Sequence, residues 1–365
     1  MILIFLLIVA AILGLLNFTV FSTLISVFAI QNNQISNWLL IIFILLGASF
    51  IIFSVVSNYY DNTFTRIAYT LSAVWFGFVV LMFIAACLYF LVLTIGHFIS
   101  PEFQVRWLGM VLLSISIIAG IYGLIHANSI TIREESVTIP GLPTSWQGTR
   151  AVVISDLHLG QIRGKSFVEE IVKKLAVIKP DIVFIPGDLF DGPKIDATDA
   201  MSPFRNLHPK RGIYLSTGNH DEFGFNNDFL DAIRQSGIKV LDNKNELVDG
   251  VQIIGVNDKD SREPLHYTQI LKSLNIGNQP SILIKHMPTL LEISEHAGIN
   301  LQISGHTHRG QFIPFNLITW LTFKGYDFGH KKFRNMDVLV SSGIGTWGMP
   351  MRIGTDSEIV ILNFK

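Results

Sequence analysis

The sequence predicts a layered α/β sandwich set behind a bundle of about four membrane-crossing helices. Three observations carry that prediction. The chain is too apolar for an ordinary soluble protein, with 50% hydrophobic residues and a mean hydropathy of +0.46. Its charge is segregated: residues 1–127 hold only Asp61, Arg66, Glu102 and Arg106, although Asp, Glu, Lys and Arg make up 15% of the chain. Beyond residue 150, apolar runs of strand length alternate with helical patterns, and five of those runs end in Asp, His or Asn.

Residues 2–30, 37–57, 68–96 and 107–127 form the membrane domain, 1–127. Each run can cross a bilayer, which takes about 20 apolar residues. The breaks carry Gln31-Asn32-Asn33-Gln34, Asp61-Asn62 and Ser100-Pro101-Glu102, which are polar, turn-forming clusters. The first run lacks the basic start and the small-residue cleavage site of a signal peptide, so it reads as a span. No Asp, Glu, Lys or Arg sits mid-span, so the helices read as an anchor, with interhelical lipid binding as the other reading. Four spans put both chain ends on one side of the membrane. That side holds Arg66, Arg133 and Arg150 against Arg106 on the other, and the positive-inside bias then favours cytoplasmic ends.

The rest of the chain is water-soluble in character. With 27 basic and 28 acidic residues overall, it offers no basic footprint for nucleic acid. The single cysteine, Cys87, excludes an intrachain disulfide and a cysteine-rich zinc site. Residues 128–149 read as a connector with a short strand over 136–139, followed by Pro140-Gly141-Leu142-Pro143. Residues 150–365 read as one domain. Within it, helices are expected over 166–179, with Phe167, Ile171, Leu175 and Ile178 on one face, and over 226–235, ended by Gly237. A third is expected over 288–297, with Pro288 in its first turn. Strands are expected over 246–248, 252–256, 337–341 and 358–363.

The polar ends of the apolar runs define the site. Residues 151–154 lead to Asp156 and His158, 181–186 to Asp188, and 212–215 to Asn219, His220 and Asp221. Residues 281–284 lead to His286, and 301–303 to His306 and His308. Open α/β sheets place their sites outside the carboxyl ends of their strands, so five such ends converge on one crevice. Any one of these pieces is commonly just a turn. Independent turns do not explain the whole ordered set. Asp156 and His158 can grip one ion, Asp188 has two oxygens to bridge two, and Asn219 adds a neutral carbonyl oxygen. Oxygen and imidazole donors without thiolate suit manganese, iron or zinc rather than calcium, with manganese favoured here. Seven donor residues point to two divalent ions. Two ions about 4 Å apart clamp a phosphoryl group and make hydroxide at neutral pH.

The series Asp156-x-His158, Gly187-Asp188, Gly218-Asn219-His220-Asp221, His286 and Gly305-His306-x-His308 resembles the calcineurin-like metallophosphoesterases over roughly residues 150–363. Gly305-His306-Thr307-His308-Arg309-Gly310-Gln311 with Pro314, then Val340-Ser341-Ser342-Gly343-Ile344-Gly345 and Pro350-x-Arg352, are similar to the bacterial branch that often carries N-terminal membrane segments. The resemblance implies a four-layer αββα sandwich. It implies one metal held by Asp156, His158, Asp188 and His308, and a second held by Asp188, Asn219, His286 and His306. His220 matches the catalytic histidine, which stabilises the transition state or protonates the leaving oxygen. Asp191 matches the carboxylate that orients it, with Asp221 as the rival. Arg309 stands where this branch often has glycine, and Ser357 where it often has proline. Arg309 and Arg352 each read as a phosphate contact or a solvated loop residue.

The expected function is a membrane-anchored, dinuclear-metal phosphohydrolase, in which hydroxide attacks phosphorus in line and His220 assists the leaving group. The alternative is a non-catalytic metal-binding sensor or interaction module of the same fold. A nuclease is disfavoured by the near-neutral soluble part. The apolar run 312–323 directly follows the last expected ligands. It either packs on the core or forms a lip that touches the bilayer or an acyl chain. Lys324, Lys331, Lys332 and Arg334 follow it and could meet anionic headgroups. The expected partners are therefore membrane lipids and a phosphorylated substrate, such as a phospholipid or a UDP-diacylglucosamine-like glycolipid.

Overall fold

The structure, a computed structural model, describes residues 2–100, 102–191, 195–222, 227–277 and 279–365. It divides into two units. Met1–His126 with Gly348–Ile353 form one, and Ala127–Trp347 with Gly354–Lys365 form the other.

The first unit contains α1 (Ile2–Val27), α2 (Asn33–Ser57), α3 (Thr63–Ile99) and α4 (Arg106–His126). All four are long and apolar enough to cross a membrane. The polar breaks act as caps. The Asn32 side chain accepts the amides of Gln34 and Ile35, and Asn62 forms a capping box with Thr65. That box starts α3 at Thr63, so the helix is longer than the expected span. Val20, Phe43, Val79, Met82, Tyr89 and Leu113 are buried among the helices. The polar Asn17 is satisfied there, donating to Leu13 O and accepting from Trp75 Nε1 at 3.1 Å. Gly348–Ile353 packs within this unit. A Cβ on Gly77 would lie 2.7 Å from Met351 Sδ, and Arg352 N–H donates to Gly123 O at 3.0 Å.

The second unit begins with β1 (Ile130–Val137), β2 (Arg150–Val153), α5 (Lys165–Ile178), β3 (Ile182–Ile185), α6 (Ala197–Met201), β4 (Ile213–Leu215) and α7 (Asn219–Glu222). It continues through α8 (Asn227–Gln235), β5 (Ile238–Val240), β6 (Lys244–Val248), β7 (Val251–Val256), α9 (Pro264–Ser273) and β8 (Ser281–Lys285). It ends with α10 (Leu291–His296), β9 (Leu301–Ser304), α11 (Phe315–Thr322), β10 (Gly329–Phe333), β11 (Met336–Val340) and β12 (Ser357–Phe364). Two six-stranded sheets run in the orders β1-β12-β2-β3-β4-β5 and β10-β11-β9-β8-β7-β6. Strands β2 to β5 are parallel, as are β7, β8, β9 and β11, with antiparallel pairs at β12/β2, β6/β7 and β10/β11.

The central strands are buried on both faces, which is why they read as unbroken apolar runs. Alternation sorts their side chains. Ala151, Val153, Ile182 and Phe184 meet Ile253, Ile282, Ile284 and Ile303 of the other sheet. Val152, Ile154, Val183 and Ile185 face Val168, Ile171 and Leu175 of α5. On the far side, Ile254, Leu283 and Val338 face Tyr267, Ile270 and Leu271 of α9. The result is a four-layer αββα sandwich.

Two expectations need correction. The connector 128–149 carries a longer and earlier strand than the expected 136–139, because β1 spans Ile130–Val137 and pairs with β12 along its whole length. Its Arg-Glu-Glu core hides it from an apolar-run reading. The third helix starts at Leu291, since Leu290 adopts φ 56° and breaks the chain direction after Pro288. The expected start at Asn226 lies outside the described residues, as does Gly192.

Candidate metal centre

The donors come from sharp turns at strand ends. Asp156, His158, Asp188, His306 and His308 all have φ between 45° and 71°. Asp and His tolerate this left-handed region better than most residues, and it turns their side chains off the end of the sheet. Their backbone is held in turn: His158 N donates to Asp188 O, and His306 N donates to Asp156 Oδ1 at 3.0 Å. Two glycines allow the loops to close. A Cβ on Gly218 would stand 2.2 Å from Asp188 Oδ1, and one on Gly305 would stand 2.3 Å from Asp156 Oδ2.

Two donor groups result. Asp156, His158 and His308 form one, and Asp188, His286 and His306 the other, each with donor atoms within 4.8 Å of one another. In the first, His158 Nε2 and His308 Nε2 are 3.0 Å apart, and His308 Nε2 is 3.7 Å from Asp156 Oδ1. In the second, His286 Nε2 is 3.2 Å from Asp188 Oδ2, 3.1 Å from Asn219 Oδ1 and 3.2 Å from His306 Nδ1. Asp188 Oδ2 is also 3.7 Å from His158 Nε2, so this carboxylate borders both groups. Donors about 2.0–2.2 Å from a common ion are separated by just such distances. His286 Nδ1 donates to Pro186 O at 2.6 Å, which leaves Nε2 as the nitrogen able to ligate.

The electrostatics fit a cation pair. Burial alone would raise the Asp188 carboxyl, but His286, His158 and His220 hold it well below the usual carboxylate range. Burial works against a charged His286, yet Asp188, Asp156 and Asp258 outweigh it and lift its pKa to about 10. The proton it keeps stands where a metal would. Burial and the neighbouring His286 push His306 down to about 3, which leaves it neutral and able to ligate. Carboxylates, an amide oxygen and imidazoles converge here without thiolate. This donor set fits divalent metal ions.

A third group adjoins these two. His220 Nδ1 lies 3.0 Å from Asp191 Oδ1, and its ring is 4.9 Å from that of His158. Asp221 does something else. Its buried carboxylate accepts the amides of Leu189, Phe190 and Gly218, bracing the turns that carry Asp188 and Asn219. The His220-orienting geometry is therefore made by Asp191.

The two arginines stand elsewhere. Arg309 has φ 50°, a conformation that suits glycine, and its guanidinium lies 4.3 Å from the Phe328 ring centre. Arg352 is fully buried in the segment that packs with the helices, so it has no surface to offer a phosphate. Two aromatic neighbours of the site carry no recognisable signal in the sequence. Trp347 stands 6.1 Å from the His220 ring, with its backbone clamped by the Gln311 side chain, and Phe323 stands 5.9 Å from the His306 ring.

Known proteins share this pattern. The calcineurin-like phosphoesterase family matches residues 149–310. A transmembrane protein with metallophosphoesterase domain from Danio rerio is 30% identical over 269 residues, 69% of this chain and 62% of its own length. An uncharacterized metallophosphoesterase of Campylobacter jejuni is 31% identical over 243 residues, 64% of this chain and 63% of its own length. Another, from Aquifex aeolicus, is 28% identical over 263 residues, 69% of this chain and 98% of its own length. The chain thus matches less than two thirds of the length of the first two relatives. Residues 149–310 form a calcineurin-like phosphoesterase domain.

Proposed function

We propose that this chain is a membrane-anchored, dinuclear-metal phosphohydrolase acting on a phosphoester or pyrophosphate bond. The observation that carries the reading is Asp188, whose carboxylate borders both donor groups. One ion would be held by Asp156, His158, Asp188 and His308, and the other by Asp188, Asn219, His286 and His306. Two such ions supply an activated water as nucleophile and neutralise charge on the phosphoryl oxygens. The protein's own part is then positioning and proton transfer. Asp191 orients His220 through Nδ1, and the other ring nitrogen, Nε2, would carry the proton given to the leaving oxygen. Manganese is the favoured metal, and a lipid-borne or UDP-diacylglucosamine-like amphiphile the favoured substrate, because exposed apolar residues directly follow the last ligand. We place the second unit on the cytoplasmic side, by the excess of arginine near the chain ends.

The test uses detergent-solubilised full-length protein, stripped of metal and reloaded with manganese, iron or zinc. Hydrolysis of a chromogenic diester, a monoester and a UDP-acylglucosamine analogue is then followed. Metal-dependent turnover, lost by at least ~10³-fold in Asp188→Asn, is the expected result. Two bound metals with no turnover on any substrate would favour the binding-module alternative.

A further inference from the structure

Helix α11 is turned inside out. Helices α5, α8, α9 and α10 of the same unit bury apolar residues, whereas none of the residues of α11 is buried. Leu317, Ile318, Trp320 and Leu321 are 52–62% exposed, and Ile313 just before them is exposed as well. The polar Thr319 turns inward instead, donating to Asp327 Oδ2 at 3.1 Å. Leu317, Trp320 and Leu321 lie three and four residues apart, so they share one face. A contiguous apolar face of this kind marks an interaction surface.

Charge identifies what covers it. From Arg309 to Arg334 the chain carries five Lys or Arg and one Asp, although the whole chain has a net charge of −1. Lys332 is paired with Asp337, and Arg334 with Glu295. Among the described residues, Arg309, Lys324 and Lys331 are paired with no carboxylate. Arg309 and Lys331 line a cavity with Leu317, Trp320, Phe328 and the single carboxylate Asp327, so cations and the apolar face adjoin. Arg309 stacks on Phe328 and Lys331 donates to Gly325 O, so neither charge is neutralised, and apolar side chains beside such cations suit an anionic bilayer. This chain also brings its own bilayer, because three residues, 127–129, separate α4 from β1.

We propose that α11 is an interfacial lip. Its apolar face enters the surface of an anionic bilayer, and Arg309, Lys324 and Lys331 meet the lipid phosphates beside it. The lip does not depend on what the metal centre hydrolyses, so docking and turnover fail separately.

The experiment places nitroxide labels on the full chain in nanodiscs of phosphatidylglycerol and phosphatidylcholine, in a Cys87→Ser background. Labels go at Leu321→Cys, at Ile318→Cys as a second site on the helix, and at Val177→Cys on α5, which is 81% exposed. The lip predicts several-fold more oxygen collisions and several-fold fewer nickel-chelate collisions at residues 318 and 321 than at 177. It also predicts that this contrast shrinks in pure phosphatidylcholine and in Lys324→Gln/Lys331→Gln. Nickel access equal to that at residue 177 would show a solvated helix and overturn the proposal. Low access to both reagents would show that protein, such as a second copy of this chain, covers the face, and would overturn it too. A contrast unmoved by lipid charge would overturn the role of the cations.

Discussion

Gly218 shows how little room the metal centre leaves. Its own side chain binds nothing, yet a methyl group there would fall 2.2 Å from Asp188 Oδ1. Gly218→Ala should push that carboxylate out of line and weaken metal binding ~10–100-fold, the usual cost of disturbing a ligand's support. Metal titration of the stripped protein checks this; unchanged affinity would mean the turn can yield. His220 gives a pH prediction. Burial alone would lower its pKa, but the hydrogen bond to Asp191 and the charges of Asp188 and Asp221 outweigh it, so the pKa is raised. A raised pKa keeps the ring protonated to higher pH, so activity is present on the acid side and falls as pH rises through that value. Asp191→Asn removes part of the support and should move the alkaline limb of the rate profile to lower pH. His220→Gln should abolish the limb and cost ~10²–10⁴-fold in rate, the usual worth of a general acid. An alkaline limb unchanged in Asp191→Asn would assign it to another group. At this scale the sequence is largely readable, because metal ligation admits few residue types and strand ends fix their order. Two roles are not readable. Asp191 is the expected partner of His220 only through the resemblance, with Asp221 as its rival, and only the fold gives Asp221 its three amide donors. Arg352 lies in a stretch similar to the family's, yet folding buries it.

The elements divide by where they lie in the sheets. Interior strands such as β2, β3, β8 and β9 are buried on both faces, so their sequences are mostly apolar and are legible, although Gln302 interrupts β9. The four edge strands are β1, β5, β6 and β10. The apolar pattern misplaces β1, gives no sign of β5 or β10, and shortens β6. Edges carry charge that discourages further pairing, so the pattern that marks a strand is diluted there. Strand β1 does this with Arg133, whose Nε lies 2.8 Å from Glu358 Oε2 on β12. The misread region still carries core. Trp146, between β1 and β2, is fully buried, donates to Val248 O at 3.0 Å and packs edge-on against Phe364. Trp146→Ala should therefore destabilise the second unit by ~3–5 kcal/mol, as for other large buried aromatics. Denaturant unfolding in detergent reads this directly. A loss under about 1 kcal/mol, the range of surface changes, would mean that Trp146 adds little to the core.

The whole chain passes between its two units more often than an enzyme tethered only by its N-terminal helices would. It leaves the helical unit after His126, returns to it at Gly348 and leaves again after Ile353. The returning segment is fitted to glycines: Met351 to Gly77, and Ile353 and Met351 to Gly123, where any larger residue would collide. Such close approach between small residues and a neighbouring chain is how apolar helices pack when hydrophobicity gives no preference. Nothing in the sequence announces this, because Gly-Met-Pro-Met-Arg-Ile reads as an ordinary loop. It has a consequence for the anchor. Cutting the chain after α4, at a protease site inserted among residues 127–129, should not free the rest of the protein. The fragment keeps Gly348–Ile353 packed among the helices, and alkaline carbonate, which strips surface-bound proteins, should leave it in the membrane pellet. Met351→Asp with Ile353→Asp places two carboxylates in that apolar packing, where an unpaired charge is costly, and should release the cleaved fragment on the same wash. Lys324→Gln/Lys331→Gln should not, since electrostatic contact with headgroups is already lost in carbonate. Release of the unsubstituted fragment would mean that α4 is the sole tether.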